Sequence, residues 1–262
     1  MLSFKWLLLP LLAVSSVSVP STRPIVCAHR GWLAPTQLEN SLPQMQTTVA
    51  AGIPWIEMDL ATSKDGTLYL LHDRTLDRTT TAKGLINTYT DAQLATVYLR
   101  AGDNISTQPI PTFAQFIAWL QTNTVHVLVD LKTGDPAQAA AMLRAAGLIP
   151  RVIFLSFDPA TDAKALAADP QVIVSVLTKT TADIDAAIAH NHPVALYVPH
   201  DAAPELFQYA AKTGRTIITD AMDSLDLQAP QSGPAVYRDY LKTRPVTILV
   251  TNRALQLREA LQ

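Results

Sequence analysis

Apolar runs rich in Val, Ile and Leu recur along the chain, and nearly all of them close on polar residues. They are IVCAH (25–29), WIEMD (55–59), VHVLVD (125–130), VIFLSF (152–157), VIVSVL (172–177), VALYV (194–198), TIITD (216–220) and TILVT (247–251). Runs this short and this rich in β-branched residues predict strands buried on both faces. A further pair around SKDGTLYLLHD reads as a hairpin turning on Asp65-Gly66. Between most runs the punctuation becomes helical. DPAQAAAMLRAAGL opens with Asp135 as N-cap and Pro136 at the first helical position, and stops at Gly147. APELFQYAAKTG stops at Gly214 in the same way. Stretches near 41–51, 112–122, 159–168, 181–190, 234–243 and 253–260 carry weaker versions of the pattern. Strands alternating with helices predict an α/β fold, and eight such units in ~240 residues suit a (β/α)8 TIM barrel better than an open doubly wound sheet. No Gly-rich dinucleotide loop follows the first run. Residues 73–111, after the hairpin strand, lack a clear core pattern and are expected to form a small cap insertion over the barrel mouth.

Composition narrows the function classes. The 262 residues are 48% hydrophobic and 16% charged with a net charge of −2, which argues against an electrostatic grip on nucleic acid. The opening stretch MLSFKWLLLPLLAVSSVSVPS has one Lys, an apolar segment and then small residues. That layout predicts a secretory signal peptide over residues 1–18, with an uncleaved anchor as the alternative, and a single barrel domain over 19–262. The expected location is secreted or periplasmic. The apolar segment is well short of the ~20 residues that cross a bilayer, so no stable membrane insertion is expected. Cys27, the single cysteine, reads as a buried core thiol.

The polar strand ends carry the chemistry, because active sites of such barrels sit at the C-terminal face of the strands. Glu57 and Asp59 are two apart and share a strand face with Trp55. Ile25, Cys27 and His29 share a face of the first strand, His72 ends the hairpin strand, and Asp130 and Lys132 share a face with Leu128 and His126. Glu57, Asp59 and Asp130 together offer an oxygen-ligand site for a divalent metal, Ca²⁺ or Mg²⁺. His29 and His72 beside such an ion would supply a general acid and a general base. Arg30 and Lys132 add positive charge suited to a phosphate. Together these groups read as phosphoester chemistry on a small-molecule substrate. His126, deeper by ~13 Å at ~3.3 Å per residue, reads as structural. His190, His192 and His200 read as loop or helix-end residues, although His200-Asp201 follows a strand and stays open as a site candidate, and Asp73 and Arg74 read as a pair that could satisfy each other.

The ordered motifs AHRGW, LENS, AGIPWIEMDLATSKDGTLYLLHDRTLDRTTTAKG, IPTF, VDLK and VIFLSFDP, from residue 25 to about 160, resemble the glycerophosphodiester phosphodiesterases. The resemblance implies a barrel enzyme that hydrolyses glycerophosphodiesters to glycerol 3-phosphate and an alcohol. It implies metal ligation by Glu57, Asp59 and Asp130, acid–base roles for His29 and His72, and phosphate contacts from Arg30 and Lys132. Three departures stand out: Asp130 replaces a usual Glu, IITDA replaces a Trp-Thr-Val-Asn signature, and Thr251-Asn252 replaces Thr-Asp. Alternatives are a phospholipase D-type activity on lysolipids or sphingolipids, or a non-catalytic secreted binding barrel. The Thr, Asp and Tyr content of 73–111 leans towards soluble diesters.

Overall fold

A computed structural model describes residues 23–189 and 192–262; the expected signal peptide at 1–18 and His190 lie outside the described residues. The strands are β1 (Ile25–Ala28), β2 (Trp55–Thr62), β3 (Leu68–Leu70), β4 (Tyr98–Ala101), β5 (Asn104–Pro109), β6 (His126–Asp130), β7 (Val152–Leu155), β8 (Ile173–Leu177), β9 (Val194–Tyr197), β10 (Ile217–Asp220) and β11 (Ile248–Thr251). Eight of them close in the order β1-β2-β6-β7-β8-β9-β10-β11, with β11 returning to β1 and every barrel pairing parallel. These eight are the eight apolar runs. β3 pairs antiparallel with β2 across the Asp65-Gly66 turn, extending the barrel on one side.

Alternation along each strand separates two cores. Ile56, Met58, Val127, Val129 and Phe154 point outward and pack with Phe116, Leu120, Leu143 and Phe207 of the surrounding helices. Cys27, Leu128, Ile153, Ala195, Ile218 and Ile248 point inward and plug the barrel. The thiol of Cys27 is buried, and burial pushes it up, with Glu57 adding to the shift. Trp55 and His126, paired in register, stack with ring centroids 4.8 Å apart at the start of the strands, so His126 belongs to the barrel floor.

The helices are α1 (Leu42–Ala50), α2 (Asp91–Leu94), α3 (Phe113–Gln121), α4 (Pro136–Ala145), α5 (Pro159–Ala168), α6 (Thr181–Ala189), α7 (Pro204–Ala211), α8 (Leu225–Ser232), α9 (Ala235–Leu241) and α10 (Ala254–Ala260). Asp135 caps α4 by accepting from the Ala137 and Gln138 N–H groups. Helix α8 is one the sequence pattern conceals: its few apolar side chains all precede Pro230, and Asp, Gln and Ser fill the other positions. The stretch after the hairpin strand also holds more structure than its spacing suggests. It contains α2 and the β4–β5 hairpin, around a small core that includes Leu76, Ile86, Leu94, Leu99 and Ile110. These apolar residues come from short turns, so they show no periodicity. No helix among the described residues is long and apolar enough to cross a membrane.

Candidate active site

Strand β1 runs into a short helical turn, His29–Gly31, in which Arg30 and Gly31 take left-handed backbone with φ of 50° and 68°. Glycine is required at the second position, because a Cβ there would stand 2.4 Å from Met45 Cγ of α1. The turn aims the Arg30 N–H at Glu57 Oε2, 2.8 Å away. It also leaves His29 Nε2 3.8 Å from the same oxygen. Asn40, left-handed as well at φ 52°, donates from Nδ2 to Asp59 Oδ2 at 2.8 Å and accepts the Asp59 N–H at 3.1 Å. Asn tolerates this backbone and supplies both a donor and an acceptor.

Register places Asp59 beside Asp130. Glu57, Asp59 and Asp130 are buried, with one ligand oxygen from each within 4.8 Å of the others. Burial first, and then repulsion from its neighbours, pushes the Glu57 carboxyl up, and the Asp59 carboxyl moves up for the same reasons. Lys132 Nζ lies 2.5 Å from Asp130 Oδ2 and 3.7 Å from Asp59 Oδ1. Burial pulls that ammonium down, but Asp130 and Asp59 outweigh it and the net shift is upward. Arg30 Nε stands 3.8 Å from Asp59 Oδ2. Asp59 Oδ1 nevertheless remains buried without a hydrogen-bond partner. An orphaned carboxylate oxygen among three crowded acids is what a hard divalent cation would satisfy, and an all-oxygen donor set suits one.

The two histidines are held differently. His29 Nδ1 lies 2.7 Å from Asn252 Oδ1, and Trp32 Nε1 donates to that same oxygen at 3.0 Å. Because an indole N–H can only donate, the Asn252 atom facing it must be the carbonyl oxygen. His29 Nδ1 therefore carries a hydrogen, and the lone pair sits on Nε2 at the mouth. Burial, with help from Arg30, pushes the imidazole down to about 3, so it is neutral at neutral pH. Asn252 is fixed in turn by Asp226 of α8. One Asp226 oxygen accepts the Asn252 N–H at 2.6 Å, while the other accepts the hydroxyls of Tyr237 and Thr251 at 2.6 and 2.7 Å.

His72 instead has a carboxylate behind it, Asp73 Oδ1 at 2.7 Å from Nδ1. Asp73 is held down to about 2, chiefly by hydrogen bonds from Arg78 and against a smaller opposing effect of burial. Arg78, not Arg74, is its partner: Nε and Nη2 donate to Asp73 at 2.8 and 2.9 Å. The other edge of the same guanidinium donates to Glu39 at 2.7 and 2.8 Å. Glu39 also accepts from Arg30 Nη1 at 2.9 Å. A continuous chain of charged hydrogen bonds thus joins His72 to Arg30 across the rim.

His29, Arg30, Glu57, His72, Asp130 and Lys132 line one cavity of about 400 Å³, and Asp59 lies buried beneath it. All seven expected site residues therefore converge. The far wall holds Phe157, Tyr197, Met222 and Asp220, with Tyr197 OH donating to Asp220. His200 turns its Nδ1 towards Asp220 at 3.5 Å. No residue of 73–111 lines the cavity. The supporting groups Trp32, Glu39, Asn40, Arg78 and Asp226 escape a reading of strand ends, and Asn252, which is visible there as a polar strand end, carries no sign that it holds His29. Four of these groups sit inside the motifs AHRGW, LENS and DRTT, whose polar residues were the available signal.

Comparison with known proteins identifies the family and the fold. The sequence profile of the Glycerophosphoryl diester phosphodiesterase family matches residues 29–224. A glycerophosphodiester phosphodiesterase of Caldanaerobacter subterraneus is 27% identical over 114 residues, covering 43% of this chain and 46% of that protein. A probable glycerophosphodiester phosphodiesterase 1 of Mycobacterium tuberculosis is 42% identical over 71 residues, 27% of this chain and 26% of its own. The matched segments thus span less than half the length of these relatives. Among solved structures, a glycerophosphoryl diester phosphodiesterase from Parabacteroides distasonis superposes with a TM-score of 0.79 at 24% identity, covering 91% of this chain and 86% of that one. An Oleispira antarctica phosphodiesterase, solved with the product sn-glycerol-3-phosphate, gives a TM-score of 0.73 at 18% identity over 92% and 97% of the two chains.

Proposed function

The chain belongs to the Glycerophosphoryl diester phosphodiesterase family, and from that premise we propose that it hydrolyses glycerophosphodiesters to glycerol 3-phosphate and an alcohol. The observation that carries the proposal is the unequal support of the two histidines beside the buried acids. His29, neutral and with its Nε2 lone pair exposed to the cavity, takes the proton from the attacking nucleophile, which is either water or the glycerol hydroxyl whose cyclic phosphate water then opens. His72, hydrogen-bonded at Nδ1 to the ionised Asp73, has the partner an imidazolium needs and gives a proton from Nε2 to the departing alcohol oxygen. Arg30 and Lys132 hold the phosphodiester through its anionic oxygens.

Glu57, Asp59 and Asp130 would hold a divalent ion, Ca²⁺ or Mg²⁺, which when bound supplies positive charge to the phosphoryl oxygens. Around it, this chain's own groups orient the substrate: Asn40 and the Arg30 N–H fix the acids, and Lys132 bridges acid and phosphate. A cavity of about 400 Å³ suits a small water-soluble diester rather than a long acyl chain. The leader-like segment at 1–18 extends the proposal to export. Purified protein incubated with glycerophosphocholine and a divalent salt should release glycerol 3-phosphate and choline, and chelator should stop it. Release of phosphocholine instead, or no release with any divalent metal, would overturn this function.

A further inference from the structure

The cavity has two faces, and the proposed chemistry occupies only one of them. Closure order puts β9 diametrically across the barrel from β2, and β10 across from β6. Tyr197 ends β9, facing the strand of Glu57 and Asp59, and Asp220 ends β10, facing the strand of Asp130. The electrostatic influence of Asp130 and Glu57 reaches the Tyr197 phenol, as expected of groups that share one cavity. Tyr197 OH donates to Asp220 Oδ2. Phe157 stands edge-on to the Tyr197 ring with centroids 5.1 Å apart, and it is 48% exposed, an unusual state for a large aromatic beside a cavity. The Met222 thioether completes the wall, and Asp223 lies on its rim.

Charge separates the two faces. Arg30 and Lys132 are engaged with Glu39, Asp59 and Asp130. On the far face, no Lys or Arg among the described residues forms an ion pair with Asp220, whose neighbours are the Tyr197 hydroxyl and His200 Nδ1 at 3.5 Å. A nearly buried carboxylate set among two aromatic rings and a thioether is the chemistry that recognises an organic cation. A phosphodiester whose phosphate lies against Arg30 and Lys132 has room to project one of its substituents towards this wall, which lines the same cavity.

We propose that the Phe157–Tyr197–Met222–Asp220 wall is a subsite for a positively charged amine on the alcohol half of the diester, which makes amine-bearing headgroups the preferred substrates. The proposal rests on the hydrolase function above and adds its substrate class. Met222 and Phe157 enclose the alkyl carbons, the rings face the ammonium, and Asp220 supplies the opposing charge. Neutral polyol headgroups gain neither the charge contact nor the ring contact.

The test compares glycerophosphocholine with glycerophosphoglycerol, reading kcat/KM for each from released glycerol 3-phosphate. Wild type should favour the choline diester. Asp220→Asn should lower the choline-to-glycerol ratio of kcat/KM by about 10- to 100-fold, as expected when one member of a buried charge pair is neutralised. Phe157→Leu, at a half-exposed position, should lower the same ratio by about 2- to 10-fold. Because the readout is a ratio, partial loss of folded protein cancels. If both diesters slow equally in Asp220→Asn, the carboxylate holds the common glycerol half and the proposal fails. An unchanged ratio in both variants would overturn it as well. Failure of the wild type to release glycerol 3-phosphate from either diester would overturn the hydrolase function itself.

Discussion

The ends of β1, β2 and β6 face the ends of β9 and β10 across one cavity, with Phe157 after β7 leaning onto Tyr197, yet the two sides are wired differently. On the first side almost every polar atom is fixed by another. Asn40 holds Asp59, the Arg30 backbone holds Glu57, Lys132 holds Asp130, and Arg78 clamps Glu39 and Asp73 together. On the second side a half-exposed Phe157 leans on Tyr197, which has one hydrogen bond to Asp220. Dense, buried, charge-assisted bonding positions groups to within the tolerance that bond-making chemistry demands. Looser aromatic and carboxylate contacts are enough to choose among substituents. Under the proposed function, the difference separates a wall that reacts from a wall that selects.

The largest expected effects lie on the reacting wall. His29→Ala and His72→Ala should each lower turnover by ~10²–10⁴-fold, the usual weight of an acid–base group, with the circular dichroism spectrum unchanged. A folded variant with near-normal turnover would remove that histidine from the chemistry. Next in size is the group behind His29. Asn252→Leu deletes the acceptor that fixes the imidazole tautomer, and turnover should fall by about 10–100-fold while KM changes little. Asn252→Asp, which keeps an acceptor oxygen, should retain more activity than the Leu variant. Equal losses in the two would mean that Asn252 fills space without orienting His29.

A smaller effect concerns the clamp at the rim. The Asp73 carboxyl, held by Arg78, is depressed from 3.8 to about 2 in the folded chain. A depressed folded value means that the pair stabilises the fold above the unfolded value, and that this contribution disappears as pH falls through the folded one. Arg78→Ala should therefore lower Tm near pH ~6, and the gap from wild type should narrow as pH falls from ~4 towards ~2. A gap that is the same at both ends of that range would show that Arg78 acts through packing alone.

The contrast between the walls also explains which parts of the molecule are legible in its sequence. Eight apolar runs, most of them with polar ends, announce the barrel, since a strand buried on both faces has little choice of composition. Parity along WIEMDL is enough to put Glu57 and Asp59 on one face of β2, and VDLK does the same for Asp130 and Lys132. The supporting shell is hidden because it depends on contacts between distant segments. Asn252 reaches His29 across 223 positions, and Asp226 sits on α8, whose Pro230 and polar residues disguise a helix. The core of the segment after the hairpin strand is hidden for a related reason, as Leu76, Ile86 and Leu94 meet through turns. The selecting wall leaves the weakest trace, since Phe157, Tyr197 and Asp220 come from three separate strand ends and form no local motif.

The proposed chemistry of the reacting wall rests on the three buried acids holding a cation. Asp59 is the decisive member, because its Oδ1 is buried without a hydrogen bond, with only the Lys132 ammonium 3.7 Å away, while its Oδ2 is fixed by Asn40. Asp130 is the adjustable member, with one oxygen already given to Lys132. Asp130→Glu should therefore shift the preference between Ca²⁺ and Mg²⁺, since Mg²⁺ demands nearly ideal geometry at ~2.0–2.1 Å and Ca²⁺ does not. The most direct measurement is a calorimetric titration of chelator-treated wild type and Asp59→Asn with each metal, with glycerol 3-phosphate release followed on the same samples. Wild type should bind one divalent ion per chain and regain activity in step with binding, while Asp59→Asn should lose both. Equal metal affinity in the two proteins, or full activity in chelator, would contradict the account.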